Sequence, residues 1–202
     1  MKLGSAFVAA LTLVLLAARR RVGGEQPASL PPYKAIIVMG PSGCGKSTLS
    51  QALAAHIQST FIEGDDHHSP ANIAQMAAGV PLAEEDRTPF LDSIGRAIAS
   101  SRRLTVVSCS ALRRAHRDRL RSYTKDILFV WIDVPAQELE RRLRQRQDHF
   151  MPVSLLADQL ATFEPPAPSE HFIRIDGALA TADQLRAILL HLDRRGIRGQ
   201  AA

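Results

Sequence analysis

Ile36 to Thr48 constrains this chain more than any other stretch. It reads Ile36-Ile37-Val38-Met39-Gly40-Pro41-Ser42-Gly43-Cys44-Gly45-Lys46-Ser47-Thr48: an apolar run, a glycine-rich turn and a helix start. Gly40 to Ser47 fits G-x-x-x-x-G-K-[ST] at every fixed position, the pattern of a phosphate-binding P-loop. Glycines let the backbone curl so that several N–H groups point inward at an anion. The helix behind, from Leu49 to Ile57, adds its positive dipole end. Gly40, Pro41, Ser42, Gly43, Cys44, Gly45, Lys46, Ser47 and Thr48 are therefore the candidate nucleotide contacts. Lys46 brings a full charge to the outer phosphates, and Ser47 offers its hydroxyl to Mg²⁺.

Around this unit the pattern alternates between strand and helix. Ala35–Met39, Thr60–Glu63, Leu104–Ser108, Ile127–Asp133 and His171–Ile175 read as five short apolar strands. Helices are expected at 47–58, 72–78, 90–101, 111–122, 136–147, 154–162 and 182–192, with Gly64–Pro70 and Pro81–Pro89 as loops. Strands alternating with helices imply an α/β fold: a five-stranded parallel sheet covered on both faces. One domain is expected over residues 33–193, followed by a disordered tail at 194–202.

Residues 3–18 are apolar and precede Arg19-Arg20-Arg21, with only Lys2 in front. That fits a signal peptide poorly and is short for a membrane span. A membrane anchor, a transit peptide and a misassigned translation start are the other readings. If the stretch inserts, its arginines stay cytoplasmic and so does the following domain. Residues 22–32 read as a linker, so 1–32 is treated as an extension outside the fold, and the location as cytoplasmic.

The basic character of the chain, net +5, resides in its ends. Residues 1–32 and 186–202 each carry +3, which leaves residues 33–185 at −1. A nearly neutral body argues against a nucleic-acid partner. Two cysteines, Cys44 and Cys109, make no disulfide framework. Cys44 lies near a helix N-terminus, which favours thiolate and would make nucleotide binding sensitive to alkylation. The plainer alternative is a small residue filling a tight turn.

The polar clusters around the P-loop carry a resemblance. They are Glu63-Gly64-Asp65 with His68 and Pro70; Asn72-Ile73-Ala74 with Met76; Pro81-Leu82 with Glu85-Asp86-Arg87, Pro89 and Leu91; Cys109-Ser110-Ala111-Leu112 with Arg117-Asp118 and Leu120-Arg121; Arg142-Leu143, Arg146 and His149-Phe150-Met151-Pro152; and Gln159 with Thr162 and Glu164. In that order they resemble the gluconokinase family, small P-loop kinases akin to shikimate kinase. The resemblance implies ATP- and Mg²⁺-dependent phosphorylation of D-gluconate at its 6-hydroxyl. It also implies a small-molecule acceptor and a homodimer as candidate assembly.

By that resemblance Asp65 orients the acceptor hydroxyl and accepts its proton. Glu63 holds Mg²⁺ through water. Arg87 grips the acceptor carboxylate as a fork, its plainer alternative being a surface salt bridge with Glu84, Glu85 or Asp86, and His68 bonds a hydroxyl. By topology, following the third strand, Arg113, Arg114 and Arg117 face the same crevice, while Arg119 and Arg121 fall on the outer face. Arg142, Arg146 and His149 belong to a lid that closes over the phosphates. Residues depart from the family pattern at His67, Thr88, Phe90, Arg113 and His116. A kinase for shikimate or another hydroxy acid is the nearby alternative. A non-catalytic nucleotide-binding module is the distant one.

Overall fold

The computed structural model describes residues 33–145 and 153–194. Its five strands are β1 (Ala35–Met39), β2 (Thr60–Glu63), β3 (Thr105–Ser108), β4 (Ile127–Asp133) and β5 (Phe172–Asp176). They form one parallel sheet in the order β2-β3-β1-β4-β5. Central β1 pairs on both sides, with Ile36 opposite Val106 and Leu128. The described helices are α1 (Lys46–His56), α2 (Pro70–Ala77), α3 (Glu84–Ser100), α4 (Arg114–Arg121), α5 (Ala136–Gln145), α6 (Ser154–Thr162) and α7 (Thr181–Arg194).

Alternate residues of each strand serve opposite layers. Ile36 and Val38 pack with Leu49 and Leu53 of α1, Leu139 of α5 and Ile188 of α7. Ile37 and Met39 pack with Phe90, Ile94 and Ile98 of α3 and Leu120 of α4. All five β1 residues are fully buried, which is why that strand is a continuous apolar run. A third, small cluster of Met76, Leu82 and Leu155 ties α2 and the following loop to α6.

Parallel strands all end on one edge of the sheet, and polar groups gather there. At that edge Glu63 lies beside Ser108, and Val38 beside Ser108 on the other side. The Ser108 hydroxyl donates to Glu63 and accepts the Gly64 N–H, the latter at 3.2 Å. A Cβ on Gly64 would stand 2.1 Å from the Ser108 carbonyl oxygen, so only glycine lets these chains approach so closely.

Three boundaries differ from expectation. Residues 81–89 were expected as a loop, but α3 starts at Glu84 and contains Pro89. Proline at that sixth position omits a single bond, to the carbonyl of Glu85. The acidic first turn of Glu84, Glu85 and Asp86 complements the helix dipole. Asp86 Oδ2 also accepts the Ala83 N–H at 3.1 Å, and the apolar face from Phe90 to Ile98 is buried. Gly64–His67 forms a short 3-10 turn within the expected loop. Ala111 has φ +41°, which a helix does not admit, so α4 begins only at Arg114.

Helix α7 runs to Arg194, the first residue of the expected tail. The expected extension 1–32, the remainder of the tail and the lid residues Arg146 and His149 lie outside the described residues. Among the described residues no helix is long and apolar enough to cross a membrane.

Candidate active site

β1 delivers the chain into the P-loop, and α1 carries it away. Gly45 precedes α1 with φ +99°, a left-handed conformation that a side chain would strain. Lys46 Nζ donates back to the Pro41 carbonyl at 3.1 Å and bridges the loop. Two contacts fix the loop from outside. The Gly40 N–H bonds the Ser110 carbonyl at 3.2 Å, and the Ser42 N–H bonds Gln159 Oε1 at 2.7 Å.

A crevice runs along the loop, bordered by Ser42, Gly43, Gly45, Lys46, Ser47, Thr48, Asp65, Arg142 and Gln145. Gly40, Pro41 and Cys44, expected nucleotide contacts, do not border it. Cys44 points beneath the loop, fully buried, with its sulfur 3.0 Å from where a Cβ on Gly40 would stand. Burial raises its thiol pKa, against a smaller lowering by Lys46. The thiolate expectation is thereby corrected: desolvation outweighs the helix terminus, and the residue fills a tight turn. Burial likewise pushes the Cys109 thiol up to about 12. Arg142 is tethered by Nε to Glu138 at 2.7 Å and by Nη2 to the Gly177 carbonyl at 2.8 Å.

A second cavity adjoins the first, and Ser42, Lys46 and Asp65 border both. Its far wall includes His68, Arg87, Phe90, His116, Asp158 and Thr162, with Leu82, Leu112 and Leu155 supplying apolar surface. His68 stacks on Phe90 with ring centres 3.8 Å apart and planes 5° apart. Burial lowers the pKa of His68, against the opposing charge of Asp65, so the ring is neutral at pH 7. Its Nδ1 is buried without a hydrogen-bond partner among the described residues. Arg87 Nη1 donates to Glu84 Oε1 at 2.7 Å, while Nη2 stands 3.8 Å from Asp158.

Several arginines are not where sequence reasoning put them. Arg117 was expected in the crevice, yet its side chain is 0% exposed. It is bonded through Nε and Nη2 to Glu170 at 2.7 and 3.0 Å. Its Nη1 donates to the carbonyls of Ala111 and Leu112, both at 3.2 Å. Leaving water costs a guanidinium so much that it goes inside only with such a partner. Arg117 therefore shapes the loop that lines the cavity and touches nothing in it. Arg121 was expected on the outer face but turns inward, over the Phe129 ring and onto Glu170 at 3.0 Å. Arg119 does lie outside, paired with Asp92 at 2.6 Å. Arg113 stands beside the cavity without bordering it, 3.4 Å from Glu84, and Arg114, also expected in the crevice, is exposed and turned to Asp118 at 3.5 Å.

Sequence reasoning offered Glu84 only as a surface salt-bridge partner of Arg87, which the 2.7 Å contact bears out, and assigned no role to Asp158; Ser110 was quoted only within the resemblance. Gln159 entered only through the resemblance. Asp158 and Gln159 come from α6, and their approach to the P-loop spans over a hundred residues of chain. No local pattern announces it.

Residues 36–166 match the family model described as an AAA domain. A gluconokinase of Gluconobacter oxydans (strain 621H) is 43% identical over 146 residues, which cover 70% of this chain and 82% of that protein. The chain belongs to the gluconokinase family. The thermosensitive gluconokinase of Escherichia coli (strain K12) is 37% identical over 147 residues, 71% of this chain and 79% of that one. Among solved structures, a gluconokinase from Sinorhizobium meliloti 1021 superposes with a TM-score of 0.73 at 43% identity, covering 79% of this chain and 91% of the other. Shikimate kinase from Aquifex aeolicus shares the fold at a TM-score of 0.57 and 16% identity, covering 79% and 96%. Membership in the gluconokinase family makes the five-stranded domain a P-loop kinase, and its two adjoining cavities the candidate nucleotide and acceptor sites.

Proposed function

We propose that the chain transfers the γ-phosphoryl group of ATP to the 6-hydroxyl of D-gluconate, giving 6-phospho-D-gluconate and ADP. The observation that carries this reading is the shared wall of Ser42, Lys46 and Asp65 between the P-loop crevice and the neighbouring cavity. Phosphoryl transfer needs little beyond alignment and charge neutralisation. A cation and a carboxylate at the junction of two cavities meet that need. The family relationship supports the choice of acceptor.

Lys46 and the P-loop N–H groups hold the outer phosphates. Asp65 orients the acceptor hydroxyl and takes its proton as the bond to phosphorus forms. Arg87 binds the acceptor carboxylate from the far wall, where a planar fork suits two oxygens. The neutral His68 ring borders the cavity, where a ring nitrogen suits a substrate hydroxyl. The Leu82, Leu112 and Leu155 surface excludes water from a site where water would consume ATP.

Mg²⁺ would be held by Ser47, with Glu63 acting through water. Ser47 borders the same crevice as Asp65, while Glu63 is steadied by Ser108. The described residues hold no cluster of three His, Cys, Asp or Glu suited to a metal. That sparse donor set fits an ion that keeps waters and phosphate oxygens as its main ligands. When bound, it supplies charge neutralisation at the β- and γ-phosphates. Arg146 and His149 remain proposed lid residues, beside Arg142 at the crevice edge.

The test is ADP release from MgATP with gluconate, shikimate, related sugar acids and nucleoside monophosphates offered separately. Gluconate should be turned over with the highest kcat/KM. Preference for shikimate or a nucleotide would refute the acceptor, and ATP binding without turnover of any acceptor would refute the kinase.

A further inference from the structure

We propose that Glu84 is a positioning residue of the acceptor site, gathering Arg87, Arg113 and His116 from two helices and aiming the Arg87 fork at the cavity. This rests on the acceptor reading above. Glu84 does not itself border the cavity. It is the first residue of α3, where the helix dipole favours a negative charge. Its two oxygens are divided among three donors. Oε1 receives Arg87 Nη1 at 2.7 Å and stands 3.4 Å from Arg113 Nη1. Oε2 faces His116 Nε2 at 2.9 Å.

The backbone fixes the proton on that ring. The Arg113 N–H donates to His116 Nδ1 at 3.4 Å, so Nδ1 is the acceptor and Nε2–H is the donor to Glu84. Burial lowers the His116 pKa, against the raising effect of Glu84, which keeps the ring neutral with one donor and one acceptor in use. Partial burial raises the Glu84 pKa, but the bonds from His116 and Arg87 outweigh it, and the carboxyl is held below its ordinary value.

A guanidinium held at one nitrogen cannot swing freely about its long stem. Glu84 takes Nη1 from the helix side. Nη2 is left toward Asp158, and 3.8 Å is too long for a hydrogen bond to that residue. An arriving carboxylate thus meets a planar fork whose direction is already set. Arg113, drawn to the same oxygen, adds positive charge behind Arg87. His116 both borders the cavity and ties α4 to α3, so the wall and the fork are set by one carboxylate.

In Glu84→Gln the size is kept, but the charge and one acceptor oxygen are lost. The gluconate KM should rise about tenfold, with kcat and the ATP KM unchanged within about twofold. In an Arg87→Met background the same change should alter the gluconate KM by less than about twofold, because the positioned group is gone. A crystal structure of Glu84→Ala gives a reading independent of any acceptor: the Arg87 guanidinium should shift by about 1 Å or more. An unchanged KM, a fall in KM, equal effects in both backgrounds or an unmoved Arg87 would each overturn the proposal. Failure of the unaltered chain to phosphorylate gluconate would instead overturn the acceptor assignment, and the position of Arg87 in Glu84→Ala would still judge Glu84.

Discussion

Replacing Glu170 by glutamine should destabilise the fold more than replacing the arginine it holds. Glu170 accepts Nε and Nη2 of Arg117 at 2.7 and 3.0 Å, Nη1 of Arg121 at 3.0 Å and the Ala167 N–H at 2.9 Å. Glu170→Gln leaves the buried Arg117 guanidinium without a counter-charge, leaves Arg121 only the exposed Asp118 at 3.4 Å, and sets an NH₂ against their donors. Losing one partner of such a buried pair costs about 3–5 kcal/mol. Arg117→Met still leaves Glu170 paired with Arg121, and its cost should be about 1–3 kcal/mol, mostly for the Ala111 and Leu112 carbonyls it abandons. Against a total stability of about 5–15 kcal/mol, the first is a large fraction. At this chain length it lowers Tm by roughly 6–20 °C.

The assay is urea unfolding followed by Trp131 fluorescence, comparing midpoints at an unchanged slope. Acid adds a second readout. Burial raises the Glu170 pKa, but Arg117, the Ala167 N–H and Arg121 outweigh it, and the carboxyl falls from 4.5 to about 2. Its folded pKa is depressed, so its stabilisation is full above the unfolded value. It is lost as pH falls through the window from 4.5 to about 2. Glu170→Gln should lack that part of the acid transition. Equal midpoints for Glu170→Gln and the unaltered chain, or a larger loss in Arg117→Met, would refute the reasoning.

Two further outcomes follow from the site. Arg87→Lys keeps the charge but loses the fork, so the gluconate KM should rise about tenfold with kcat little changed; steady-state kinetics check this, and an unchanged KM would remove the carboxylate role. Iodoacetamide should leave Cys44 unlabelled in the folded chain and label it in denaturant, as mass spectrometry would report; rapid labelling of the folded protein would contradict a buried, protonated thiol.

Strand β1, the P-loop and the C-terminal edge were legible because their signals are local: a continuous apolar run, fixed glycines and a following helix. Asp65 and Arg87 could be placed near the P-loop because each follows that edge closely in sequence or carries a recognisable cluster. The start of α3 was hidden by Pro89, although the acidic turn of Glu84 to Asp86 was the better guide. Arg117 was misplaced because topology points its helix at the crevice, while its partner Glu170 is 53 residues away. Side-chain pairing over such separations leaves no periodic trace. The same holds for the three donors that converge on Glu84, where His116 was visible only as a departure from a family pattern.

The most direct test of the central claim, that phosphoryl transfer occurs where Lys46 and Asp65 meet, is a single-turnover measurement on Asp65→Asn with radiolabelled ATP and saturating gluconate. ATP should bind with unaltered affinity, while label should reach gluconate about 10²–10⁴-fold more slowly than in the unaltered chain. Transfer at a near-normal rate would contradict the account.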